Sequence, residues 1–159
     1  MSRMLGGLTR LGAILTTVFA PRGSDRWRRL EGQPVEALPA FVARLIAGDS
    51  PGRFMVVGIK GSDDFLNLEP RPEGLRLVMP MVTERQRCQR EAFEQAAAFH
   101  GMIVEEVFAD HGNLFREAEI DGGAARAAHV LKDFLSGLFD LRGAGTVWIE
   151  AEGLAPAQG

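Results

Sequence analysis

Tyrosine is absent from the 159 residues, and cysteine occurs once, at Cys88. A lone cysteine excludes an internal disulfide and a multi-cysteine zinc centre, and it fits a reducing compartment, the cytoplasm. Histidine is nearly as scarce. His100, His111 and His129 include no pair at the i, i+4 spacing that seats two metal ligands on one helical turn. No G-x-G-x-x-G, Walker or G-x-S-x-G sequence occurs, and Gly122-Gly123 reads as a flexible lead-in to a helix rather than a phosphate cradle. No metal, cofactor or catalytic set is expected, and the chain reads as non-enzymatic.

A basic excess is missing too. Eighteen basic residues face 21 acidic ones for a net charge of −3, which gives nucleic acid no broad surface to bind. The densest basic cluster is Arg22, Arg26, Arg28 and Arg29 around Trp27, read as the solvated start of a helix. Long apolar runs are lacking as well: Leu11 to Ala20 is about half of the roughly 20 residues that a membrane span needs. Arg3 and Arg10 before that run, and Val18-Phe19-Ala20 at its end, resemble an export signal. Against this, Pro21 is a poor residue after a cleavage site, and Gly12 and two threonines interrupt the run. Met4, Leu8, Leu11, Leu15 and Val18 recur at helical spacing. Residues 1–22 are therefore expected to form an amphipathic helix that packs on the domain or a partner. The alternative is a membrane-peripheral anchor beside the arginine cluster.

What is present is the balance of a folded protein, 46% hydrophobic and 25% charged. One α+β domain is expected over 23–152, followed by a loose tail, 153–159. The segment from Asp25 to Ala47 is expected to break near Gly32 and to form a helix from Val35, because Pro34 and Pro39 suit a first turn. Phe54–Ile59, Phe65–Glu69 and Leu75–Met79 follow as three strands joined by short turns, an antiparallel meander. Thr83 and Gln86 have the form of a capping box opening a helix that runs to His100. Ile103–Phe108 and Leu114–Ile120 read as two more strands, and Asp121 is expected to cap a long helix with apolar residues from Ala124 to Phe139. Thr146–Ala151 is the last strand. The predicted order is α-βββ-α-ββ-α-β, a five- to six-stranded antiparallel sheet with helices packed on one face.

Chemistry-bearing groups are few and scattered. Cys88 and His111, with Asp110 as an orienting group, make a conceivable thiol and base pair, but Cys88 falls on a stripe of small residues and reads as a buried, inert thiol. Asp63-Asp64, Glu105-Glu106 and Glu117/Glu119 alternate along strands or sit in turns, the pattern of a solvated sheet face. Alternation places Phe65, Val78, Phe115 and Trp148 on the strand face opposite the core, with Met79 and Met81 as an adaptable rim. These six form the candidate peptide-binding face; the other reading is a second core layer beneath the N-terminal segment. Cys88, Ala92, Phe93 and Ala96 form a candidate dimer seam, since small residues permit close approach.

Phe65-Leu66-Asn67-Leu68-Glu69, then Leu75-Arg76-Leu77-Val78, and the closing helix Ala127-Ala128-His129-Val130-Leu131-Lys132-Asp133-Phe134-Leu135 running into Leu138-Phe139-Asp140-Leu141 give the chain a local look of their own. Together with the element order from about Val35 to Leu141, this resembles the type III secretion chaperones and YbjN-like proteins grouped as TY-Chap domains. The resemblance implies a non-enzymatic domain that binds a polypeptide partner, often as a homodimer. The segment before Ala20 and the strand at Val147–Ala151 depart from that pattern, and so does the mild acidity. The competing expectation is a small-ligand or enzymatic domain gathering Asp110, His111 or Cys88 in a pocket.

Overall fold

A computed structural model describes residues 27–48, 53–62, 64–72, 74–108, 114–139, 141 and 145–152. The helix expected over 1–22 and the tail 153–159 lie outside the described residues, as do Asp63, Asp110 and His111.

The fold is α+β, and the described residues form four helices and one open antiparallel sheet of seven strands. The strands are β1 (Trp27–Pro34), β2 (Met55–Ile59), β3 (Phe65–Arg71), β4 (Gly74–Pro80), β5 (Val104–Phe108), β6 (Leu114–Asp121) and β7 (Thr146–Glu152). The helices are α1 (Leu38–Ala47), α2 (Glu84–Cys88), α3 (Arg90–Phe99) and α4 (Ala124–Leu138). In the sheet the order is β1-β7-β2-β3-β4-β6-β5, so the meander β2-β3-β4 forms as expected and the final strand slots in beside it.

Three expectations are corrected. Trp27–Pro34, taken as a helix start, is an edge strand paired with β7, and the strand count rises to seven. Gly32, at φ +64°, lies where the register slips between Leu30 and Gln33, a left-handed conformation that glycine adopts without steric cost. Helix α1 then starts at Leu38, after a 3-10 turn over Val35–Ala37, with Pro39 in its first turn. The helix predicted from Thr83 to His100 is broken at Gln89 into α2 and α3. Asp121 ends β6 rather than capping α4, whose N-cap is Gly123 without a side-chain bond.

The capping box forms as read: Thr83 Oγ1 accepts from the Gln86 N–H at 3.1 Å, and Gln86 Oε1 accepts from the Thr83 N–H at 3.0 Å. Arg53 closes the other end of α1 by donating to the carbonyls of Leu45 (2.7 Å) and Ile46 (2.9 Å), groups that a helix C-terminus leaves unpaired.

The main core lies between the sheet and the helices. Leu66, Leu68, Leu75, Leu77, Val57 and Ile149 meet Phe41, Val42, Leu131, Phe134 and Leu135 there. Phe93 and Phe134 touch edge to face at 5.0 Å, joining α3 to α4. On the opposite face, two smaller clusters consist, among the described residues, of strand residues and Phe54: Val78 and Phe115 with Val107, and Phe54, Val56 and Trp148 with Phe65. All four described helices thus contribute to one side of the sheet or to its rim, and none to the apolar clusters of the other.

Candidate functional site

Strand alternation delivers Phe65, Val78, Phe115 and Trp148 to the helix-free face, as their spacing requires. They do not form an open surface there. Phe65 is half-buried, and Val78, Phe115 and Trp148 are only 0 to 4% exposed. Met79 and Met81 point the other way, into the main core, so they line no rim on that face.

Trp148 shows how the face is built. Its indole lies across Gly58, where a Cβ would come within 2.1 Å of the ring. Its N–H donates to the Ser62 carbonyl at 3.2 Å, and the Arg29 guanidinium sits 4.0 Å from the ring centre. Farther along the same face Arg76 binds Glu119 at 2.7 Å, with Glu117 at 3.6 Å and Glu69 at 3.7 Å. Arg71 approaches Glu119 from the other side at 3.6 Å. Arg71, Pro72, Arg76, Glu119 and Asp121 line a shallow groove at this end of the sheet, and its arginines are engaged with neighbouring carboxylates.

The residues nominated as a dimer seam separate. Phe93 is fully buried against Phe134, Ala92 and Ala96 pack at the margin of the core, and Cys88 is exposed at the end of α2. The expected burial of the Cys88 thiol is corrected, because the break at Gln89 turns α2 away from the face that α3 buries. No group of three or more histidine, cysteine, aspartate or glutamate side chains among the described residues is arranged to hold a metal ion. His100 Nε2 lies 2.9 Å from Asp133 Oδ2, and His129 approaches the same carboxylate at 3.8 Å; this ties the end of α3 to α4.

The open apolar surface is elsewhere. Among the described residues four large hydrophobic side chains are exposed, and three lie in or near β5: Phe99 at the end of α3 (82%), Ile103 just before the strand (82%) and Phe108 at its end (73%). The fourth, Val82, follows β4. Among the described residues strand β5 forms the outer edge of the sheet, with no described strand beyond it. It is held firmly from behind. Buried Arg116 on β6 reaches Glu94 of α3 at 2.7 Å and Glu106 of β5 at 3.3 Å, which fixes the helix and the edge strand to one guanidinium. The other edge differs: β1 carries the Gly32 bulge and ends at Pro34, two features that discourage pairing.

The sequence reading missed this edge. At 100° per residue Phe99 lies about 120° around the helix axis from buried Phe93, which turns it away from the core. No described helix is long and apolar enough to cross a membrane. No family model, curated protein or solved structure matches the chain.

Proposed function

We propose that this domain is a non-enzymatic, chaperone-like module that binds polypeptide, taking an extended segment of its partner along β5. The observation that carries the reading is that Phe99, Ile103 and Phe108, each more than 70% exposed, lie shortly before, immediately before and at the end of β5, which is an edge strand among the described residues. Main-chain hydrogen bonds to such an edge give affinity, while alternate side chains dropped onto flanking apolar groups give selectivity. Exposed Glu105 favours a segment with a basic residue opposite it. The TY-Chap resemblance rests on the order helix, three strands, helix, two strands and helix; the run from α1 to α4 follows that order with its middle helix broken at Gln89, and that supports the same class of function.

The test is selection from a displayed library of extended peptides, followed by calorimetric titration against the wild type and the double variant Ile103→Asp/Phe108→Asp. Peptides with alternating apolar residues are expected to bind the wild type and to bind the double variant at least tenfold more weakly. Peptides that bind both proteins equally would overturn β5 as the site. A dimer in light scattering that the double variant abolishes, with no peptide bound, would make the edge an interface between two copies instead.

A further inference from the structure

One cross-strand row on the helix-free face runs from Arg29 and Glu150 at the β1 end, through Val78, to Glu117 and Glu105 at the β5 end. Its two ends differ in charge. At β1 an arginine stands directly opposite a glutamate, whereas at β5 a glutamate stands opposite a glutamate, and like charges in directly opposed strand positions repel. Arg76 reaches Glu117 at 3.6 Å but is shared with Glu119 at 2.7 Å and Glu69 at 3.7 Å. The adjacent row, on the helix side, is balanced: Glu106 faces Arg116, which binds it at 3.3 Å, and Arg90 adds a second cation at 3.8 Å. Glu105 is exposed and has no ion-pair partner among the described residues. The uncompensated negative charge therefore lies on the edge strand, at a position that an added strand would face.

We propose that Glu105 selects the segment taken at β5, an inference that rests on reading that strand as the binding edge. The segment is an extended stretch carrying a lysine or arginine, with an apolar residue two positions to either side of it. Spacing sets the pattern. Glu105 and Val107 share a face by alternation, Val107 standing opposite Phe115, and Ile103, 82% exposed, precedes Glu105 by two residues. A strand added in register holds the side chain directly opposite Glu105 at a Cβ separation of about 5 Å, within reach of an ammonium or guanidinium group. Its residues two positions away then fall beside Ile103 and Val107.

The opposite face of the same strand asks for no second cation, because Glu106 is already bound by Arg116 and its neighbour in alternation, Phe108, is 73% exposed and apolar. One basic residue on one face, with apolar or neutral side chains elsewhere, therefore satisfies the edge. A second copy of this chain fits it poorly. Two-fold antiparallel pairing centred on Glu105 or on Glu106 sets each of those glutamates against its own copy, the arrangement that already opposes Glu105 to Glu117.

The test uses the full chain and two synthetic peptides that differ only at the centre, Thr-Val-Thr-Lys-Thr-Val-Thr and the same sequence with Glu in place of Lys. Both are titrated in low salt and followed by amide chemical shifts. The wild type is expected to bind the lysine peptide about threefold or more tightly than the glutamate peptide, with the largest shifts in β5. That preference should shrink at high salt. Glu105→Lys, which also relieves the repulsion from Glu117, is expected to reverse it, and Glu105→Gln to abolish it while both peptides still bind. Equal affinity of the wild type for the two peptides, with both weakened by Ile103→Asp/Phe108→Asp, would overturn Glu105 as the selector and leave β5 standing as the binding edge. A lysine preference that persists in Glu105→Gln would do the same. Binding of neither peptide would overturn both readings, and a wild-type dimer dissolved by Ile103→Asp/Phe108→Asp would make a second copy the occupant.

Discussion

Gly58 and Trp148 lie in close contact on the helix-free face. Because an added Cβ would fall 2.1 Å from the indole, Gly58→Ala forces either the ring or strand β2 to move. Overpacking of this kind costs about 1 to 3 kcal/mol. Displacing the ring also breaks its bond to the Ser62 carbonyl and its contact with Arg29. Gly58→Ala is therefore expected to lower the unfolding free energy measured in urea by that amount and to shift tryptophan emission, whereas Gly61→Ala, with open space at its Cβ but φ +77°, loses stability with no tryptophan signal. Equal emission spectra in the two variants would show that the indole does not rest on Gly58. At this scale the sequence was legible in direction but not in exposure. The alternation of Val147, Trp148, Ile149 and Glu150 sends Trp148 to the correct face, but alternation carries no information on whether anything lies above that face. Phe93, placed in a dimer seam for its neighbours' small size, instead fills the gap that Ala97 and Phe134 leave in the core.

Elements were legible where local chemistry decides them. Strands β2, β3 and β4 follow from short apolar runs separated by glycine and proline turns, and α4 from apolar residues at i, i+3 and i+4. Strand β1 was not, because an edge strand between a charged cluster and two prolines has one inward apolar residue, Leu30, and so no period to read. Its pairing comes from β7, more than a hundred residues away. The candidate edge at β5 was hidden for a related reason: a strand can be recognised locally, but its place at the border of the sheet is set by which strands pair with β6. The capping box of α2 is the opposite case, read and formed locally. Thr83→Ala leaves the Gln86 N–H without its acceptor at the start of a five-residue helix, and it is expected to cost about 1 kcal/mol in chemical denaturation. Since α2 buries none of its residues, amide exchange should rise in Glu84–Cys88 and stay unchanged in α3, which is anchored separately by Phe93 and by Glu94 bound to Arg116. Rising exchange across both helices would mean that the break at Gln89 does not uncouple them.

Across the whole molecule the decisive feature is that the final strand is interior. Strand β7 lies between β1 and β2, and its Val147 and Ile149 are fully buried in the main core. Without it β1 has no partner, β2 becomes an exposed edge, and both Arg29 and Gly58 lose the indole that joins them. The burial lost from Val147 and Ile149 alone is about 3 to 6 kcal/mol, comparable to the lower end of a domain's total stability. Ending the chain at Gly145 is therefore expected to abolish cooperative unfolding, although helices α1 to α4 and six of the seven strands remain in the sequence. Calorimetry on the truncated and full chains decides this. A retained, sharp transition would mean that the meander and its helices fold without β7, so that β1 and β7 are a later addition to a self-sufficient core. Loss of the transition would make the C-terminal strand the element that closes the sheet, and the fold would then be complete only when residues separated by almost the full length of the described chain have met.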